Sequence, residues 1–321
     1  SSFFTLGFIS NREEKILKYL IPPLISAIEK IIKEAIKERK LFDFLSYDSS
    51  LEPWLTINHH YPGVIKISRF DGFLLPAHLK LIEFNVDSPA GPRYVDTIEN
   101  IITSSDVFSK FRKQFKPRLI NRSQKVLKTL LNCYSQWQGK KRAKPRIAIV
   151  DWQDEPTYTE FLLFAEFFKS CGFNAHFADV RDVEVLNNKV FAGGMQVELI
   201  YRRALVSKLA KNVEDSKGLF KAGFENLVCI VNPFMSKLAS SKALIEILTD
   251  EANEKFWSKN ESRAINQLLP WTHKVRYGFA KYRGQKVEIV SFVRKNRSKL
   301  VLKKSSEYGG KQVLIGAECA E

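Results

Sequence analysis

The residues best suited to chemistry stand in one stretch, 64–88, where Arg69, Asp71, Glu83, Asn85 and Asp87 alternate with apolar neighbours. The stretch reads as two β-strands around a turn near Pro76-Ala77-His78. Centring an antiparallel pairing on residue 77 places Asp71 opposite Glu83 and Arg69 opposite Asn85. Side chains alternate faces along a strand, so the five polar residues share one face. Phe70, Ile82, Phe84 and Val86 take the other, expected to be buried. Carboxylates directly opposite each other across a ladder repel. A hard divalent cation removes that repulsion. Asp, Glu and an Asn amide are oxygen donors that Mg²⁺ accepts while it keeps waters and substrate phosphates. On pattern alone, the solvated outer face of a hairpin explains the same residues.

The elements around this stretch must position it. Residues 12–40 carry Ile16, Leu17, Leu20, Leu24, Ile28, Ile31, Ile32 and Ala35 at helical spacing, with Pro22-Pro23 predicting a break. A Pro/Asp/Ser-rich loop over 47–63 leads into the hairpin, and helices are expected at 94–113 and 121–137. Residues 146–151 read as a buried strand, followed by a helix at 157–171. Further strands are expected near 174–178, 182–186, 189–191, 196–201 and 227–231. Strands alternating with helices predict an α/β, Rossmann-like open sheet. Ligands of such sheets sit at the carboxyl ends of the strands. The loop 151–158 and the strand end Tyr201-Arg202-Arg203 would then flank one crevice. A helix from Ser240 to Asp250 follows, then a strand over 299–304, a loop bearing Gly309 and Gly310, and a strand over 312–316. Strand, glycine loop, strand is the layout of a hairpin lid, whose backbone amides can approach phosphate oxygens.

Composition narrows the class. An apolar fraction of 45% in 321 residues supports a folded chain with sizeable cores, and no apolar run approaches a membrane span. Cys133, Cys171, Cys229 and Cys319 stand far apart without CxxC spacing, which argues against zinc or a disulfide framework and for a reducing cytoplasm. Cys171 and Cys229 lie in apolar surroundings and read as inert core residues. The opening Ser1-Ser2-Phe3 lacks a basic start and a Met, and reads as a cut or processed end. A net charge of +16 invites a polyanion partner, with basic runs at 108–128, 139–146 and 294–304. None of these runs carries aromatics at stacking intervals, so a lysine-rich solvated surface is the expectation, not a nucleic-acid site.

The ordered set of segments resembles the circularly permuted ATP-grasp family related to glutathionylspermidine synthase. It comprises Arg69-x-Asp71, Glu83-Phe-Asn85-Val-Asp87-Ser88-Pro-Ala-Gly91, Asn232-Pro-Phe, Ser241-Lys242-Ala-Leu, Leu248-Thr-Asp-Glu251, Leu302-Lys303 and Glu307-Tyr-Gly-Gly-Lys311. The resemblance implies a glutathione-synthetase-like ATP-grasp fold with a Rossmann-like subdomain, and an ATP- and Mg²⁺-dependent carboxylate–amine ligase working through an acylphosphate. A non-catalytic ATP-grasp-like scaffold is the other reading. Asp71, Glu83 and Asn85 match the magnesium ligands of the family, and Arg69 an arginine facing the transferred phosphoryl group. Lys242 and Lys303 match lysines on the nucleotide phosphates, and Gly309 and Gly310 the closing loop. Ser88 matches a substrate-contacting serine, while Asp154, Glu155, Arg202 and Arg203 lie in segments that resemble substrate-facing loops. Its partners would be a small-molecule or peptide carboxylate and an amine, with no membrane.

Four segments are expected. These are an N-terminal helical part (1–60), an ATP-grasp part with the ligand hairpin (61–140), a Rossmann-like part (141–235) and a nucleotide lobe (236–321). The family's adenine-hinge strand should follow 312–316, and residues 317–321 cannot supply it, so truncation at the C-terminus is expected.

Overall fold

Asn11–Ala35 forms one helix, α1, in the computed structural model, which describes residues 6–45, 48–75, 78–139, 144–304 and 313–319. The break expected at Pro22-Pro23 does not occur. An interior proline costs about 3 kcal/mol or more. Against that cost, Leu20, Leu24, Ala27, Ile28, Ile31, Ile32 and Ala35 are buried on one face. Each large aliphatic side chain among them contributes about 1.5–3 kcal/mol, so burial wins. α2 (Arg39–Phe44) is separate, and α3 (Glu52–Leu55) interrupts the expected loop by burying Trp54 and Leu55.

β1 (Arg69–Leu75) and β2 (His78–Asn85) form the antiparallel hairpin. Its turn, Pro76-Ala77, lies outside the described residues. The helix expected over 94–113 is two, α4 (Pro92–Thr103) and α5 (Asp106–Phe115). Ser105 leaves helical geometry, and its hydroxyl accepts the Phe108 N–H as an N-cap. α6 (Arg122–Gln138) starts on the Asn121 side-chain cap and ends at Gly139, whose φ of +69° suits glycine.

The α/β core then follows. Its elements are β3 (Ile147–Asp151), α7 (Tyr158–Ser170), β4 (Ala175–Asp179), β5 (Val183–Leu186), β6 (Lys189–Ala192), β7 (Met195–Val197), β8 (Leu199–Arg202), α8 (Val206–Lys211), α9 (Val213–Phe224) and β9 (Cys229–Val231). β4-β3-β8-β9 is a parallel sheet, and β5-β6-β7 a separate antiparallel meander. The strand expected over 196–201 is therefore two, β7 in the meander and β8 in the parallel sheet. Next come α10 (Ala243–Thr249), α11 (Lys259–Leu268), β10 (Phe279–Tyr282), β11 (Gln285–Glu288), α12 (Ile289–Lys295), β12 (Val301–Lys303) and β13 (Val313–Ile315). β12 and β13 pair as expected of the lid strands, with Lys303 opposite Val313.

These elements fall into two compact units, each drawn from three separate stretches of the chain. The first comprises Ser1–Ser10, Ser50–Ser68 and Val86–Met235; the second comprises Asn11–Ser49, Arg69–Asn85 and Ser236–Glu321. Burial explains the grouping. In the first unit Tyr61 and Ile67 join a core built by Phe161, Phe164 and Phe168 of α7, the strands β3 and β8, and Leu127 and Leu130 of α6. In the second, α1 docks on α11, where Ser26 and Lys30 bind the Glu261 carboxylate at 2.8 and 2.7 Å. α11 also receives the hairpin. Lys80 of β2 donates to the carbonyls of Asn266 and Leu269 at the negative end of that helix.

The four cysteines are free. Burial pushes the Cys133 thiol up to about 11 and that of Cys229 higher still, so both are inert. Cys171 is half-buried, its Sγ 3.9 Å from Gln124 Oε1. Among the described residues, no helix is long and apolar enough to cross a membrane.

Candidate active site

The register places Asp71 opposite Glu83 and Arg69 opposite Asn85, as the residue pattern predicts. Beneath them Phe70 pairs with Phe84, ring centroids 4.9 Å apart, and Phe84 is buried. Beyond Asp71 the ladder slips, with Gly72 opposite Leu81 and Ile82 as the extra residue. A Cβ on Gly72 would lie 2.5 Å from the Lys80 carbonyl oxygen, so the close approach needs glycine. The slip turns Leu81 into the core and leaves Ile82 half-buried, which corrects the expected alternation.

The charges of this face are balanced within the second unit. Arg69 Nε donates to Asp71 Oδ1 at 2.9 Å, and its Nη2 to Oδ2 at 3.2 Å. The Asn85 amide donates to the same Oδ2 at 3.1 Å. Lys242, immediately ahead of α10, brings Nζ within 3.8 Å of Glu83 Oε1. That lysine is no solvated surface residue, since its side chain is 14% exposed and that of Glu83 20%. Two carboxylates face two cations, so the repulsion expected across the ladder is answered by protein groups.

Among the described residues, no group of three or more His, Cys, Asp and Glu is placed to hold a metal ion. The hairpin offers two carboxylates and an amide. That set fits Mg²⁺, which is held by one or two carboxylates and completed by substrate phosphates and water, better than it fits an ion needing an all-protein cage. An ion there competes with Arg69 for Asp71. Lys303 is half-buried at the end of β12 in the same unit, and Gly309 and Gly310 lie outside the described residues.

The remaining candidates belong to the first unit. Asp87, expected on the hairpin's polar face, is buried beyond the end of β2 and accepts from Arg202 Nη1 at 2.8 Å. Arg202 is 0% exposed and donates also to the carbonyls of Asn232, Ala204, Asp87 and Pro233. Arg203, 2% exposed, donates to the Pro89 carbonyl and the Tyr201 hydroxyl and pairs with Glu160 at 3.2 Å. The Glu160 carboxylate accepts the N–H groups of Gly91 and Arg93 at the start of α4. Neither arginine is presented to solvent. Both pin the segment Asp87–Gly91, and Ser88 stands half-buried within it.

Asn232 is the residue that the sequence does not single out beyond its motif. Its side chain accepts the Ile67 N–H at 2.9 Å and donates to the carbonyls of Ile67 and Val86 at 2.8 and 3.0 Å. The chain on either side of the hairpin is thereby clamped together within the first unit. An Asn-Pro-Phe at a strand end, with an amide buried to 1% exposure, is the signal. A buried amide must find partners, and Asn232 finds them in the backbone of Ile67 and Val86.

The carboxyl ends of β3 and β8 are adjacent in the sheet, and Arg202 and Arg203, expected to flank a crevice there, are engaged in these buried pairs. Asp154 and Glu155 lie on the loop after β3, and Lys208 of α8 reaches them at 3.5 and 2.8 Å. Burial pushes the Asp151 carboxyl up to about 7. Burial also raises Asp179, but the Arg181 guanidinium and two backbone N–H groups outweigh it and hold that carboxyl at about 2. No family model matches this chain, and the search of curated proteins finds no match.

Proposed function

We propose that the protein is an ATP- and Mg²⁺-dependent carboxylate–amine ligase of the circularly permuted ATP-grasp type, working in a reducing compartment. The observation that carries the reading is the hairpin register, with Arg69 and Asn85 paired next to Asp71 and Glu83, and Lys242 on Glu83. In this reading Asp71, Glu83 and Asn85 hold the ion, whose charge neutralises phosphoryl oxygens. Lys242 and Lys303 act as point charges on the phosphates, and Arg69 forks onto the transferred phosphoryl group. The acid substrate takes the γ-phosphoryl group of ATP, and the amine then displaces phosphate to form the amide. Arg202, Arg203, Glu160 and Asn232 are positioning residues. They hold Ser88 and its neighbours in one conformation, while Asp154 and Glu155 offer carboxylates to an amine.

A non-catalytic scaffold is the second reading, favoured by one observation: both oxygens of Asp71 already take donors from Arg69 and Asn85. Calorimetry with ATP and Mg²⁺ separates the two. The ligase reading expects Mg²⁺-dependent ATP binding that is lost in Asp71→Asn and Glu83→Gln and weakened about tenfold or more in Lys242→Met. Binding that is unchanged in all three variants, or absent from the parent protein, refutes it.

A further inference from the structure

The hairpin β10–β11 carries an outward face that combines exposed aromatic and basic side chains. Its tip, Arg283-Gly284, has φ of +53° and +78°, a two-residue turn that ordinarily selects Asn-Gly. Arginine in that conformation costs about 1 kcal/mol. The inner face is anchored. Tyr282 packs on Trp271 and Phe292 with ring centroids 5.2 and 4.9 Å away, and Trp271 Nε1 donates to the Lys281 carbonyl at 3.0 Å. The Gly284 N–H holds Glu251 at 3.0 Å, so the ribbon is fixed at both ends.

The other face presents Phe279, Lys281 and Lys286. Lys281 and Lys286 stand directly opposite each other, a repulsive cross-strand pair. Lys286 Nζ lies 4.3 Å from the Phe279 ring centroid. Phe279 is 63% exposed and neighbouring Tyr277 92%. Of the basic residues over 274–286, Arg276 pairs with Glu246 and Lys274 donates to the Phe44 carbonyl, while Lys281, Arg283 and Lys286 are exposed on the ribbon. Glu288, opposite Phe279, is occupied as the N-cap of α12, accepting from the N–H groups of Val290 and Ser291.

We propose that this ribbon binds single-stranded nucleic acid, with bases stacked on Phe279 and Tyr277 and phosphates on Lys281, Arg283 and Lys286. A polyanion relieves the Lys281–Lys286 repulsion and draws Lys286 off the Phe279 ring, whose face a flat base then covers. Stacking of this kind contributes about 1–3 kcal/mol per base and tolerates any sequence. An acidic peptide would satisfy the charges and leave the rings bare. A duplex keeps its base faces inside the stack. The ribbon lies outside the basic runs 108–128, 139–146 and 294–304, and it sets Phe279 on one face with Lys281 and Lys286. It stands independently of the ligase reading.

The test is fluorescence anisotropy of a labelled oligothymidylate against the full chain, between about 50 and 200 mM salt. Binding should weaken steeply with salt. Lys281→Ala/Arg283→Asn/Lys286→Ala should make the log–log slope shallower by about 2, at roughly 0.7 per lost phosphate contact. Phe279→Ala should lower affinity about 5- to 150-fold and leave the slope unchanged. The triple variant relieves a repulsion and a strained turn, so it should melt no lower than the parent, which guards against misreading a folding defect. Absence of salt-dependent binding overturns the proposal. So does binding that survives both changes, or equal affinity for a duplex or a polyglutamate with no effect of Phe279→Ala.

Discussion

Replacing Arg202 by Met separates a residue that touches substrate from one that holds the fold. The guanidinium is fully buried, with five acceptor contacts, one of them the Asp87 carboxylate at 2.8 Å. After the substitution Asp87 still accepts the Val206 N–H at 3.2 Å, but the guanidinium that balanced its negative charge is gone. Breaking one half of a buried ion pair costs about 3–5 kcal/mol, because the other half stays buried. For a unit of this size that corresponds to roughly 6–20 °C in Tm. The double variant Arg202→Met/Asp87→Leu should recover a large part of the loss, since a well-packed apolar pair is often neutral relative to the ion pair. Urea unfolding followed by tryptophan fluorescence measures all three proteins. If Arg202→Met unfolds at the parental midpoint and only substrate affinity falls, the positioning role is refuted and Arg202 faces the ligand after all.

Asp151 and Glu261 shift the pH response in opposite directions, and Asp179, held at about 2, acts in the same sense as Glu261. Asp151 is held near 7 by burial, above its ordinary 3.8, so the folded state keeps a proton that the unfolded state has lost. Stability should therefore fall as pH rises from about 4 to 7, by at most roughly 4 kcal/mol, and Asp151→Asn should abolish that slope in urea titrations. Glu261 is raised by burial, but Lys30, the Ser258 N–H and the Ser26 hydroxyl outweigh this and bring it to about 2, below its ordinary 4.5. Its contribution is complete above pH 4.5 and is lost as pH falls towards 2, about 1–2 kcal/mol once the half-exposed Lys30 is allowed for. Glu261→Gln should flatten the acid limb of stability, and an unaltered acid limb would contradict the α1–α11 clamp.

Local pattern alone determined much of the frame. Alternation over 69–71 and 83–85 put Asp71 and Glu83 on one face and Phe70 and Phe84 on the other, and that pairing holds although the extra residue Ile82 breaks the pattern beyond it. The stretches 146–151 and 174–178 were legible as strands of the sheet, whereas the single strand expected over 196–201 is two in the structure. Only the tertiary structure decided the rest. Pro22 and Pro23 predict a break that the buried face of α1 overrides. Asp87 continues the polar alternation of the hairpin, but the partner that claims it, Arg202, lies 115 residues away. The roles of Arg202, Arg203 and Asn232 were illegible for the same reason. Whether a charge or amide meets solvent, substrate or a buried counter-group depends on which distant segments arrive beside it. Periodicity reports faces and spacing along one element, whereas burial and pairing belong to the assembled core.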